Sequence, residues 1–334
     1  MSSTFPTLRL RRLRRTAALR RMVAETRLTV DDLVAPLFVK EGIEAPEPVV
    51  SMPGVLQHTQ ESLRKEVRAL ADLGVPAVIL FGVPAQKDAR GSGGDDPDGV
   101  VQVAIKNLRD EVGDRLVLMA DNCLDEYTDH GHCGILTAGG PGGEMTVDND
   151  ATLERYASIA VAQADAGVDV VAPSGMMDGQ VGAIRQALDR SGFQNVAILA
   201  YAAKYASALY GPFRDAAECA PKFGDRKAYQ MDARNAREAI TEVALDVAEG
   251  ADMIMVKPAL AYLDVIATVR DAFDLPLAAY HVSGEYSMVQ AAAANGWIDG
   301  DAVALEHVTA IRRAGADFVL TYFARQLAER AAQG

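Results

Sequence analysis

The stretches DLGVPAVIL (72–80), DAGVDVVAP (165–173), EGADMIMV (249–256) and AGADFVL (314–320) repeat one short pattern: the end of a helical segment, a glycine, then an apolar run rich in β-branched residues. Gly74, Gly167, Gly250 and Gly315 stand at the helix exit, where the left-handed terminating conformation costs glycine little. The uninterrupted apolar run that follows suits a strand covered on both faces. Extending the pattern outward predicts eight strands, at about 32–39, 77–83, 115–124, 168–174, 197–204, 252–259, 275–283 and 317–323. Amphipathic helical segments such as 60–73, 151–166 and 235–249 separate them. Alternating strands and helices imply a parallel sheet, and eight repeats in 334 residues imply closure. The expected fold class is therefore α/β, a (β/α)8 TIM barrel with an extended N-terminal arm. An open doubly wound sheet is the alternative, but no phosphate-binding glycine fingerprint follows the first strand. The glycine-rich stretch 89–99 has no dinucleotide spacing either and reads as a mobile loop.

Hydrophobic residues make up 49% of the chain and charged ones 24%, which supports a large core and excludes disorder. No stretch approaches the roughly 20 uninterrupted apolar residues that span a bilayer. The N-terminus is broken by charge and has no secretory apolar region. Three cysteines, Cys123, Cys133 and Cys219, make no disulfide framework, so a reducing, cytoplasmic compartment is expected. The net charge of −13 hides an asymmetry: residues 1–21 hold seven arginines and no acid, leaving a body of −20. So acidic a body repels phosphate backbones, and no nucleic-acid partner is expected. The run Arg9, Arg11, Arg12, Arg14 and Arg15 reads as a transit peptide, a nucleic-acid tail or an arm docking on an acidic neighbouring subunit. The last is preferred, because the protein itself supplies the complementary charge. The organisation expected is an arm over 1–30 and a barrel over 31–334, with a lid at about 205–231.

In such barrels chemistry gathers where strands end. Of eight lysines, two, Lys204 and Lys257, end apolar strands that are consecutive in the barrel. Adjacent strands lie about 4.8 Å apart, and repulsion plus burial keeps an amine unprotonated and nucleophilic, as Schiff-base chemistry requires. The plainer reading is two strand-end charges reaching solvent. A second group, Cys123, Asp125 and Cys133 with His130 and His132 between, offers two thiolates and a carboxylate. Strand period puts Cys123 and Asp125 on one face, and such a set leaves a fourth metal position open, as in catalytic zinc sites. Inert core cysteines are the alternative. Arg214 and Arg226, on the expected lid, suit carboxylate substrates or else form lid-to-rim salt bridges. Ser174, Tyr210, Tyr280, Ser283 and Tyr322 complete a polar rim.

The motifs CLDEYTDHGHCGIL, APSGMMDGQV, KYASALYGPFRDA, FGDRKAYQMD, EGADMIMVKPA, YHVSGEY and TYFA occur in order from about residue 30 to the C-terminus. Together they resemble the porphobilinogen synthase (5-aminolevulinate dehydratase) family. The resemblance implies condensation of two 5-aminolevulinate molecules to porphobilinogen with loss of two waters, in tetrapyrrole biosynthesis. It further implies a Schiff base on Lys257 with the first substrate and engagement of the second by Lys204. Ser283 and Tyr322 would bind the first carboxylate, and Arg214, Arg226 and Gln230 the second. Ser174, Tyr210, Phe213 and Tyr280 would line the pocket. The arm would embrace a neighbour in a homo-octamer.

The chain departs from the family's zinc pattern at one position, where Asp125 replaces the middle of three cysteines. Zinc at Cys123, Asp125 and Cys133 is the expected cofactor, with magnesium or no metal as the alternative. Glu242, fifteen residues before Lys257, matches a glutamate that in magnesium-responsive relatives holds an allosteric hydrated magnesium ion near the arm. Otherwise it is an ordinary helix glutamate. A class I aldolase, which needs a single imine lysine and no cysteine motif, is the runner-up.

Overall fold

Each barrel strand is a run of almost wholly buried residues, because helices cover the outside and side chains fill the inside. In the computed structural model, which describes residues 6–333, the strands are β1 (Leu33–Lys40), β2 (Ala77–Val83), β3 (Val117–Asn122), β4 (Val170–Pro173), β5 (Ala197–Lys204), β6 (Met253–Lys257), β7 (Leu277–His281) and β8 (Phe318–Thr321). They pair in parallel from β1 to β8, and β1 meets β8 through Leu33–Val319 and Val34–Leu320 to close the barrel. The returning helices follow their apolar spacing. In Gln60–Asp72, Leu63, Val67 and Leu70 form one buried stripe, and the Thr59 hydroxyl accepts the Ser62 N–H at 3.0 Å to cap the helix.

The repeated glycine stretches do more than end helices. Gly167, Gly250 and Gly315 adopt φ of 100°, 106° and 124°, and two residues beyond each stands an aspartate at the foot of an even-numbered strand. Asp169 accepts the Leu118 N–H of β3, Asp252 the Ile198 N–H of β5 and Asp317 the Leu277 N–H of β7, each at 2.8 Å. Each aspartate's own N–H returns to the carbonyl of the same residue, at 3.0, 3.1 and 2.6 Å. Arg109 and Arg270 pair with Asp169 and Asp317. In the first copy Pro76 takes this position, and only its carbonyl serves, accepting the Val117 N–H at 2.8 Å.

Several strands are shorter than the apolar runs that announce them. β3 ends at Asn122, so Cys123 and Asp125 lie in the turn beyond it and not on a strand face. Ser174, Ser283 and Tyr322 likewise lie just past the ends of β4, β7 and β8. The 89–99 loop, expected to be mobile, is fastened instead. Arg155 grips Asp95 with two bonds of 2.6 Å, and Asp88 accepts the N–H groups of Arg90 and Ser92. The arm forms a 3-10 turn, Leu10–Arg14, and a helix, Ala17–Met22, neither of which buries a residue. Leu10 and Met22 are 61% and 67% exposed. Among the described residues no helix is long and apolar enough to cross a membrane.

Asp252→Ala would strand the Ile198 N–H at the foot of β5. The expected loss is about 1–3 kcal/mol, read as a lower denaturant midpoint with an unchanged slope.

Candidate active site

Lys204 and Lys257 are register partners across β5 and β6. Ile254 pairs with Ala200 but Val256 pairs with Ala203, a one-residue shift between the strands. Without it Lys257 would oppose Ala203, and the two lysines would project to opposite faces. The Lys257 ammonium lies within an aromatic box, 4.3 Å from the Tyr280 ring centroid, 5.0 Å from Tyr201, 5.2 Å from Phe213 and 5.3 Å from Tyr210. Burial, and then the neighbouring Lys204 charge, push the Lys257 amine down to about 7. Lys204 goes the other way: burial opposes its charge, but Cys133, Cys123, Asp125 and Asp121 outweigh it and raise the amine. Its Nζ donates to the Ser174 carbonyl at 2.5 Å. The pair is therefore split into one amine that holds its proton and one poised to lose it.

Asp121, near the end of β3, lies beside both. Ser174 Oγ donates to it at 3.1 Å, and burial pushes its carboxyl up to about 6 against the pull of Lys204. In the turn beyond β3, Cys123, Asp125 and Cys133 bring one donor atom each within 4.8 Å of one another, all buried. Two sulfurs and an oxygen at that spacing suit a divalent ion of borderline softness, zinc before magnesium. Asp125 has a second engagement: its Oδ2 lies 2.8 Å from Arg226 Nη1, with both side chains about 5% exposed or less. Burial works against the Asp125 charge, but Arg226 and then Lys204 hold its carboxyl well below the usual range. Arg226 Nη2 also donates to the carbonyls of Gly131 and Cys219, at 2.8 Å each. A lid-to-rim salt bridge is thus the observed state of Arg226.

The segment expected to form a lid leaves β5 through the turn Ala208–Tyr210 and the helix Gly211–Ala216. Its two ends are tied to the lysines themselves. The Tyr205 N–H donates to the Lys257 carbonyl at 2.9 Å, and the Met231 N–H donates to that of Lys204 at 3.1 Å. Ser283 Oγ accepts the Phe213 N–H at 3.0 Å, so this hydroxyl fastens the lid here. Gly131 sits at φ 71°, where a Cβ would come within 2.5 Å of the Ala220 carbonyl oxygen as the lid crosses. Both ring nitrogens of His132 face lid groups, the Tyr229 hydroxyl at 3.1 Å and the Phe223 carbonyl at 3.0 Å. His130 Nδ1 accepts the His132 N–H at 3.1 Å. The two histidines hold lid and loop together.

Ser174, Tyr210, Phe213, Arg214 and Arg226 line one small cavity with both lysines. The Tyr280 and Tyr322 hydroxyls meet at 3.0 Å beside it. Gln230 is not brought there. It is buried with its Nε2 unpartnered and borders a separate cavity with Glu242, Glu238 and Asp178. Burial, and then Asp178, Glu238 and Glu249, raise the Glu242 carboxyl.

The family model described as delta-aminolevulinic acid dehydratase matches residues 7–330. The chain belongs to the delta-aminolevulinic acid dehydratase family. Delta-aminolevulinic acid dehydratases of Streptomyces coelicolor and Mycobacterium leprae are 58% and 57% identical to it, covering 97% and 98% of each chain respectively. A delta-aminolevulinic acid dehydratase (porphobilinogen synthase) of Toxoplasma gondii, solved in complex with its reaction product porphobilinogen, superposes with a TM-score of 0.93 at 43% identity. The match covers 98% of this chain and 92% of that one. As a delta-aminolevulinic acid dehydratase the chain is a hydro-lyase of porphyrin biosynthesis, joining two 5-aminolevulinate molecules into porphobilinogen with loss of two waters. The class I aldolase reading falls with this assignment.

Sequence reasoning missed three groups at this dehydratase site: Asp121, Glu126 and Tyr201. Asp121 was visible as an acid closing the apolar run LVLMAD. Nothing in the sequence distinguished Glu126 from the acids around it, or Tyr201 from a core tyrosine.

Lys204→Gln removes the charge that helps depress Lys257. The Lys257 amine should then lose its proton at higher pH, and the pH midpoint for borohydride trapping of its substrate adduct should move up from near 7. An unmoved midpoint would leave burial alone as the cause.

Proposed function

We propose that Lys257 is the imine-forming lysine of the reaction and Lys204 its partner for the second substrate. The observation that carries this is the register pairing of two buried lysines with oppositely shifted amines. The unprotonated Lys257 Nζ attacks the ketone carbon of one 5-aminolevulinate, and loss of water leaves an imine that acidifies the adjacent carbon. Asp121, buried beside both lysines, is placed to accept that proton. Ser283 and Tyr322 take the first substrate's carboxylate, and Tyr280 and Phe213 pack around its chain. For the second carboxylate Arg214, Arg226 and Gln230 are the cationic and amide partners, with Ser174 and Tyr210 bordering the pocket. In this reading Arg226 exchanges Asp125 for substrate, and Gln230 swings in from its neighbouring cavity as the lid adjusts.

Cys123, Asp125 and Cys133 hold zinc in this proposal. Bound there, zinc supplies Lewis acidity towards a carbonyl oxygen of the second substrate and lowers the pKa of a bound water. Glu242, among Asp178, Glu238 and Glu249, is the proposed allosteric magnesium ligand, since magnesium needs only one or two carboxylates besides its waters. The exposed, basic arm supports a cytoplasmic homo-oligomer, an octamer, in which each arm docks on an acidic neighbouring body.

Borohydride reduction of enzyme with substrate should place the adduct on Lys257 by peptide mapping, and Lys257→Arg should abolish turnover while the protein stays folded, because a guanidinium forms no imine. An adduct confined to Lys222 or Lys227 would overturn the assignment. Cys133→Ala should lower zinc content and turnover together.

Glu242→Ala should remove magnesium's effect on both activity and sedimentation, since an ion that binds only the assembled form favours it by mass action. The Lys257 adduct should persist. Equal responses in wild type and variant would return Glu242 to an ordinary helix residue.

A further inference from the structure

Cys123 and Cys133 stand ten residues apart in the chain, and one helix, Asn149–Asp165, holds the segments that carry both. At the end of β3, Gln163 Nε2 donates to the Asp121 carbonyl at 2.7 Å, and Asn122 Nδ2 donates to the Tyr156 carbonyl at 3.1 Å. On the returning chain, Thr152 Oγ1 accepts the Ile135 N–H at 2.9 Å. Gly134 permits that approach, because a Cβ there would come within 2.5 Å of the Thr152 hydroxyl. Between these two grips lies the Tyr156 side chain, fully buried. Its hydroxyl donates to the Cys133 carbonyl at 2.5 Å and lies 3.6 Å from Cys123 Sγ. A single oxygen thus spans both cysteines. Gly175, in the loop after β4, leaves room for it: a Cβ there would land on the hydroxyl. Packing alone asks only for the ring.

We propose that Tyr156 is a positioning residue for the ion site: it sets the separation of the Cys123 and Cys133 sulfurs and gives the Cys123 thiolate a hydrogen bond. A thiol can donate to the tyrosine oxygen, but a thiolate carries no proton, so once Cys123 is ionised the hydroxyl is the donor. A donor beside a ligating sulfur draws charge from it, and partners of this kind orient ligands and tune the ion they hold. The role of Tyr156 runs through the cysteines and not through contact with ion or substrate. The inference rests on the reading that Cys123, Asp125 and Cys133 bind zinc, and it adds what holds the two sulfurs in place.

The test uses the full-length protein with zinc and cobalt as probes. Zinc affinity is read by competition with a chromophoric chelator, and cobalt coordination by its thiolate charge-transfer and ligand-field absorption. Tyr156→Phe, which removes only the hydroxyl, should weaken zinc by about tenfold or more. Its charge-transfer band should move to longer wavelength, because the Cys123 sulfur keeps more charge. Gly175→Ala, which pushes the hydroxyl aside, should weaken zinc as well, and serves alone if the phenylalanine variant does not fold. A folded Tyr156→Phe with wild-type zinc affinity and cobalt spectrum overturns the proposal. It does so even if its denaturant midpoint in the presence of chelator is lowered, since that pattern marks a hydroxyl with a structural role only. If Cys133→Ala then loses the ion, the Cys123–Asp125–Cys133 reading stands without the proposal. A wild-type protein that takes up neither ion overturns both.

Discussion

Two amines forced into the same dry space are what the active site is built around. A lone buried lysine would release its proton and cost little further, whereas two on facing register positions repel each other and must divide one charge between them. The division falls as it does because carboxyl and thiol groups crowd Lys204, while aromatic rings surround Lys257. Remove the one-residue shift between β5 and β6, and the lysines turn to opposite faces of the sheet. The two amines, the aromatic box and the acid cluster would then no longer share a chamber.

The second dependency is the pair of Arg226 with Asp125. A buried ion pair is a weak source of stability, since desolvation offsets most of its attraction. Breaking one side, however, leaves an uncompensated charge in the barrel's mouth. In the proposed reading the pair acts as a latch with a defined replacement, since an incoming carboxylate offers Arg226 the same chemistry that Asp125 does. The two ends of the segment that carries Arg226 are bonded to the backbone of both lysines.

Much of this was legible in the sequence. Glycine followed by a continuous apolar run located the strands, because helix exits and doubly covered strands each impose a local chemical demand. Lys204 and Lys257 stood out because charges are rare at the ends of such runs. What stayed hidden depended on distance in the chain. Asp169, Asp252 and Asp317 were printed in the repeated stretches themselves, yet their partners lie about fifty residues upstream or, for Asp317, forty. The pairing of Asp125 with Arg226, and the placing of Gln230 outside the lysine chamber, likewise follow from where the lid lands. No periodicity records that.

The aspartate clasps sit at the foot of the barrel, the end away from the lysines, and they join strands in twos: third with fourth, fifth with sixth, seventh with eighth. Only the first two strands, where proline replaces aspartate, go without. These three strand pairs are therefore fastened by bonds that no rim residue takes part in. In the proposed zinc reading, substitutions among the cysteines and acids of the rim redraw metal preference without loosening the frame that carries them. A lineage can thus change its inorganic chemistry while inheriting its architecture intact.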